Sequence, residues 1–419
     1  MKNIVICCDG TGNEISENIS NVLKLYRCLR KTGKTMPRQA VFYDPGVGTL
    51  AQPDTWHRFK ANFNLVLGLA TGYGLDDNVL SAYCFLVHNY EEGDQIFLFG
   101  FSRGAYTVRV LAGLIHKVGL ISPDQVNLAG SGLIAYKQFS SDNPKAGHGL
   151  LTARETADED GPIPADRFDL AAQFARITST RWPTIHFVGV WDTVASVIVP
   201  RRDRFFVLFS LEELAFTLQN PSVNIFRQAM AIDERRCMFR LKTWDDPQPF
   251  KHNRFNDIHA EQQDIKQVWF AGVHSDVGGG YPEKDSALSK YPLLWMIDEA
   301  IAAGLSVNPR TVNQLAWGHQ RKNSPFSYVA PSIRGVLHNS MTPAWRILEY
   351  IPKSAKYKEW PQRKVHFGCY IPDAEPRVIP EGAHIHESVL MRIAELPEYR
   401  PVNLPTSYER VPLPLQGES

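Results

Sequence analysis

Residues 100–104 read Gly-Phe-Ser-Arg-Gly, a G-x-S-x-G pattern that makes Ser102 a candidate nucleophile. Chance alone places such a pattern in roughly one chain in eight of this length, so its setting carries the weight. The strand-like QIFLF precedes it and the helix-period stretch AYTVRVLAGLIHKV follows it. A strand–turn–helix junction of this kind holds a serine in a strained turn with its hydroxyl exposed at the sheet edge. Gly100 and Gly104 let strand and helix crowd together there. The helix N-terminus, with the Arg103 N–H, favours a developing oxyanion.

A serine hydroxyl needs a histidine to take its proton and a carboxylate to orient that histidine. In this class of fold the chain order is serine, then acid, then histidine, each at the end of a strand. Asp192 ends the apolar run HFVGVWD, and His274 follows VWFAGV directly before the glycine turn SDVGGGY. Asp276, two residues beyond, is a rival orienter, and His386 in GAHIHESV is the next-best base. A capping or turn role for Asp192 and a structural loop role for His274 are the plain alternatives.

The first strand-like run, NIVICC, leads into Asp9-Gly10-Thr11-Gly12-Asn13. The Gly10 or Thr11 N–H is the natural second oxyanion donor beside that of Arg103, with Asp9 bracing the turn. Asp9 could instead accept a phosphoryl group, but the phosphatases that work this way carry a second Asp two positions on, where this chain has Thr11. GTGN lacks both the lysine of a phosphate-binding P-loop and the spacing of a dinucleotide turn.

The elements that must position these groups are legible in the hydrophobic pattern. Strand-like runs cover Asn3 to Cys8, Arg38 to Tyr43, Gln95 to Phe99, Thr184 to Val190 and Gln267 to Val273. Helical spacing joins Val22, Leu25, Tyr26 and Leu29, and further helices are expected over Asn78 to Tyr90 and Ala105 to Val118. The alternation predicts an α/β fold with a mostly parallel central sheet and helices on both faces. A catalytic core over 1–305 would carry insertions near 120–183 and 200–262. The Pro- and aromatic-rich stretch 306–419 is read as a cap or wrapping segment of the same domain.

At 419 residues, 44% hydrophobic and 21% charged, with 45 basic and 44 acidic residues, the chain has the composition of a soluble globular protein. Its near-neutral balance offers no basic surface for nucleic acid. The six scattered cysteines form no CxxC pair and read as reduced thiols, which favours a cytoplasmic origin. No metal-ligand spacing stands out, no cofactor is expected, and neither a secretory signal nor a membrane-length apolar run is present. Export by a signal-independent machine stays compatible with these features.

Taken together, DGTGN, YDPGVGT (Tyr43 to Thr49), GFSRGAYTVR, VGVWDTVAS, AMAIDERR (Ala229 to Arg236) and WFAGVHSDVGGGY resemble the DUF2235 family, the catalytic domain of Tle1-like phospholipase effectors of type VI secretion. The resemblance implies an α/β-hydrolase fold with a Ser-Asp-His triad on Ser102, Asp192 and His274. It also implies a lipid acyl-ester substrate, and it makes an immunity or secretion partner an expectation to be tested. FFVLFSLEELAFTL (Phe205 to Leu218) after the basic RRDR from Arg201 suits an acyl chain, an anionic head group and peripheral membrane contact, or equally an ordinary buried helix. A soluble esterase or thioesterase on small acyl substrates is the main alternative, followed by a non-catalytic binding module.

Overall fold

The fold is described from a computed structural model, over residues 1–10, 19–46, 74–142, 169–178, 180–194, 198–199, 210–211, 214–355 and 358–413. Eight strands form one sheet, all neighbours parallel. In chain order they are β1 (Lys2–Cys8), β2 (Arg38–Asp44), β3 (Gln95–Phe101), β4 (Ile185–Trp191), β5 (Val223–Ala231), β6 (Asp264–Phe270), β7 (Ala383–His386) and β8 (Tyr408–Val411). Their spatial order is β8-β7-β6-β5-β4-β3-β1-β2. The chain therefore runs outward from β1 to β2, returns to the other side of β1 at β3, and then proceeds to the far edge. The reversal between β1 and β3 is the switch point at which the carboxyl ends of the strands leave a crevice.

Side-chain alternation distributes the core over both faces of the sheet. Ile4, Ile6, Ile96 and Leu98 point to one face, where they meet α2 (Leu75–Asn89), α3 (Arg103–Val118) and α4 (Ala129–Asp142). Val5, Cys7, Phe97, Phe99 and Phe101 point to the other, against α1 (Asn21–Cys28) and a helix over Lys290–Ala302. Period-two alternation in strands buried on both sides leaves no polar face, which is why β1 and β3 read as continuous apolar runs. The cysteines are all free, and Cys7, Cys8, Cys28 and Cys237 are buried.

The α/β expectation holds, and the expected strands lie where the apolar runs place them, except that the run Gln267 to Val273 is met by a strand three residues earlier, Asp264–Phe270. Three strands of this sheet were not expected. The central strand β5 lies inside 200–262, the stretch read above as an insertion. Its sequence VNIFRQAMA carries Arg227, whose buried guanidinium meets Asp264 at 2.6 Å and Glu299 at 2.6 Å. A charge in mid-strand hides the pattern, and only the partners supplied by β6 and the 290–302 helix make it tolerable. β7 and β8 lie within 306–419, so this stretch extends the sheet. Ile379, Ile385, Val389 and Tyr399 join Met230, Ile232 and Trp269 in a third apolar cluster. The polar run of 153–167 and half of the apolar run Phe205 to Leu218 lie outside the described residues.

Backbone meets backbone most closely where α3 crosses β1. A Cβ on Gly104 would stand 2.1 Å from the Cys8 carbonyl oxygen, and one on Gly100 would stand 2.4 Å from that of Gly104. Gly104→Ala is expected to cost more than about 3 kcal/mol because the obstructing atoms are backbone. Gly130, in α4 with open space around it, is the control: Gly130→Ala is expected to gain about 0.4–1 kcal/mol. Chemical denaturation of the two variants checks both, and a stable Gly104→Ala protein would refute the crossing geometry.

Candidate active site

Ser102 sits between β3 and α3 with φ 57° and ψ −121°, outside the basins an L-residue prefers. The turn is pinned on both sides, since the Ser102 N–H donates to the Trp191 carbonyl at 3.1 Å and the next residue, Arg103, starts α3. Backbone N–H groups in the first turn of a helix lack intrahelical acceptors and point outward along its axis. The Arg103 N–H is thus placed beside the serine by the same turn that strains it.

Asp192 follows β4 with φ 39°, a second left-handed non-glycine residue at the carboxyl edge. It is fully buried, and its N–H donates to the Ala229 carbonyl of β5 at 2.8 Å. His274 opens a short helix, α6 by chain order after α5 (Leu170–Ile177), running His274–Gly278 just beyond β6. Its Nδ1 lies 2.5 Å from Asp192 Oδ2. With Nδ1 so engaged, Nε2 is the ring nitrogen left to exchange a proton with a substrate or a hydroxyl. The imidazole is held by rings, with Phe101 centred 4.7 Å away and Phe239 meeting it edge-on at 4.9 Å. Phe101 also abuts Gly278, where a Cβ would fall 1.9 Å from the ring. This contact locks α6 to the strand that delivers Ser102.

The electrostatics include groups without a signal in the sequence. Burial pushes the Asp192 carboxyl up, but Arg377 and His274 together hold it well below the usual carboxylate range. Arg377 Nη1 donates to Asp192 Oδ1 at 2.6 Å and Nη2 to Oδ2 at 3.0 Å. Burial lowers the proton affinity of His274, outweighing the opposing pull of Asp192. Glu234 is buried against the same histidine, accepting its backbone N–H at 3.2 Å. Burial works against its charge too, but Arg236, bonded to it at 2.8 Å, brings it down to about 2. Glu234 and Arg236 belong to AMAIDERR, a motif visible in the sequence without a role. Arg377 stands alone among residues that gave no hint of it.

Asp276 does not orient His274. Its Oδ1 pairs with His338 Nδ1 at 2.6 Å, and its Oδ2 accepts from the Val273 N–H at 3.1 Å and the His338 N–H at 3.2 Å. It thereby caps α6 and anchors the stretch around His338 in the C-terminal region. His386 is no base at this site either: it is buried at the end of β7, bonded to Ser388 at 2.7 Å and packed on Phe270.

In the turn after β1, Asp9 Oδ2 accepts from the Ser20 hydroxyl and, at 2.9 Å, from Tyr43, while Oδ1 accepts from the Gly10 N–H at 2.7 Å. These bonds use the carboxylate as a brace. They also occupy the Gly10 N–H, which removes it as an oxyanion donor in this conformation. Thr11 lies outside the described residues. Among those described, no group of acidic, His or Cys side chains is arranged to hold a metal, and no helix is long and apolar enough to cross a membrane.

A parallel sheet covered on both faces, with an acid–histidine pair and a strained serine gathered at its carboxyl edge, defines an α/β-hydrolase-like protein. The family model described as the catalytic domain of the type VI secretion phospholipase effector Tle1-like group matches residues 2–299, and the chain belongs to that family. An uncharacterized Saccharomyces cerevisiae protein is 32% identical over 301 residues, covering 65% of this chain and 40% of its own length. The chain thus spans less than half of that relative. Two solved structures are also similar. A crystal structure of an uncharacterized Pseudomonas aeruginosa protein shares 16% identity at a TM-score of 0.35, over 74% of this chain and 47% of its own. The Tle1 effector bound to the VgrG spike of the type 6 secretion system shares 18% at 0.33, over 69% and 52%.

Burial holds His386 and His116 as neutral imidazoles, each brought down to about 3. Below about pH 6.5 the unfolded chain binds protons that the folded chain refuses, so stability falls as pH drops from there toward 3. His386→Gln is expected to flatten that slope by up to about 1.4 kcal/mol per pH unit in denaturant titrations. An unchanged slope in that variant would show that His386 is not held neutral by the fold.

Proposed function

We propose that the chain is a serine hydrolase of lipid carboxylic esters, with phospholipid the favoured substrate class. The observation that carries the reading is the 2.5 Å bond between His274 Nδ1 and buried Asp192, at the same sheet edge as the strained Ser102. His274 Nε2 takes the Ser102 proton as Oγ adds to the ester carbonyl. The backbone N–H of Arg103 and that of Thr11 are the proposed stabilisers of the resulting oxyanion. Collapse of this intermediate expels the alcohol, which receives the proton from His274, and leaves an acyl-serine. Water, deprotonated by the same nitrogen, adds to the acyl carbonyl, and departure of Ser102 Oγ with that proton releases the acid. Asp192 remains ionised throughout and holds the imidazole in the required tautomer.

Family membership supports the phospholipid class, and the surface beside the site supports contact with a bilayer. Ile347, Tyr350, Val365, Phe367 and Ile371 are exposed, Phe367 completely, in a stretch of chain that also carries Arg346, Lys353 and Lys364. Apolar side chains for the acyl boundary together with basic ones for anionic head groups characterise a peripheral membrane face. The helix over Pro343–Glu349 ties this face to the catalytic histidine, since Trp345 packs on Phe239 at 5.4 Å and Phe239 on His274.

Ser102→Ala is expected to lose three or more decades of hydrolysis on both a short p-nitrophenyl ester and phospholipid vesicles. Retained activity in that variant would end the serine reading. Wild-type preference for the soluble ester would favour a small-acyl esterase instead. The double variant Ile347→Asp, Phe367→Asp is expected to lower vesicle hydrolysis at least tenfold while leaving the soluble ester within twofold. Equal loss on both substrates, or on neither, would count against the membrane face.

A further inference from the structure

We propose that Arg377 is a positioning residue for the Asp192–His274 pair, so that the working catalytic unit extends beyond the family-matched stretch into the C-terminal region. The inference rests on the serine-hydrolase reading and deepens it. Arg377 lies past residue 299, the end of the family match, yet its guanidinium is buried in the centre of the site. Nη1 donates to Asp192 Oδ1 at 2.6 Å and to the Ala231 carbonyl at 3.0 Å; Nη2 donates to Oδ2 at 3.0 Å and to the Phe239 carbonyl at 2.7 Å. Asn403 holds the arginine's own backbone, donating to the Arg377 and Ile232 carbonyls at 3.0 Å each. The Ala231 N–H, at 2.9 Å from Oδ1, completes the shell around the carboxylate.

This geometry does two separable things. The planar fork fixes the plane of the carboxylate, and with it the direction in which Oδ2 meets His274 Nδ1, a constraint an ammonium cannot reproduce. The positive charge also offsets the carboxylate's attraction for an imidazolium. His274 faces Asp192 with Arg377 on one side and Glu234 with Arg236 on another, two opposed pairs. The remaining neighbours have partners of their own: Asp276 pairs with His338, and Glu359 with Arg240. Removing only the Arg377 charge leaves a net negative field at the histidine, which favours its protonation.

The C-terminal region makes the same kind of contact twice more around the histidine. Ser340 donates to Glu234 Oε1 at 3.0 Å, and His338 bonds Asp276. Three buried carboxylates that flank His274 thus take a partner from beyond residue 330. A buried carboxylate left without its partner costs several kcal/mol, so the core and this region are energetically coupled.

The test is the pH dependence of covalent labelling of the full-length chain by a fluorophosphonate probe, in wild type, Arg377→Met, Arg377→Lys and Ser102→Ala. Arg377→Met should move the acid limb of the labelling rate up by at least half a pH unit. Arg377→Lys, which keeps the charge and loses the fork, should leave the limb in place and lower the plateau rate at least tenfold. The lysine variant keeps the proposal falsifiable should the methionine variant fail to fold. A wild-type plateau in Arg377→Lys, or an unmoved limb in folded Arg377→Met, would overturn the positioning role. Labelling that persists in Ser102→Ala would instead remove the serine-hydrolase reading beneath it.

Discussion

A fully buried carboxylate stays ionised only if its surroundings replace the water it has lost, and Asp192 is the point on which this site depends. Its oxygens receive a guanidinium, a backbone N–H and an imidazole. These donors come from three widely separated parts of the chain. Arg377 is delivered by the C-terminal region, Ala231 by β5, and His274 by the turn after β6. Unless all three are in place, the carboxylate either picks up a proton or destabilises the fold, and in both cases His274 loses its orientation. The sheet, the helices and the C-terminal region are in this sense arranged around one anion.

A related economy governs the serine. The left-handed conformation of Ser102 is costly, of order 1–3 kcal/mol, and persists because its surroundings over-determine it. The bond to Trp191, the start of α3 and the close approach of Gly104 to Cys8 leave the turn no relaxed alternative. The crossing that forces two glycines also joins the serine turn to the braced turn of Asp9. Fold and site therefore share the same contacts, and a change that loosens the crossing disturbs both.

The C-terminal region continues the sheet beyond the family-matched stretch. Two strands lengthen the sheet, an apolar cluster seals them to β5 and β6, and polar side chains reach inward to the histidine. The same region carries exposed apolar side chains, Phe367 and Ile347 among them, on its outer side.

Much of this was legible in the residues alone, for a physical reason. Strands buried on both faces are written as local apolar runs, and a nucleophile turn is written as glycines between a strand and a helix; both signals are short-range. Thus β1, β3, β4 and the serine turn could be read directly, and the ends of apolar runs pointed to Asp192 and His274. What only the tertiary structure decided depends on pairing across long separations. Arg227 looks foreign to a strand until Asp264 and Glu299 meet it, so β5 was hidden. Asp276 and His386 resembled catalytic groups by position until His338 and Ser388 took their hydrogen bonds. Arg377 carries no local mark at all: its importance lies in a buried carboxylate 185 residues away, and no periodicity records a pairing at that distance.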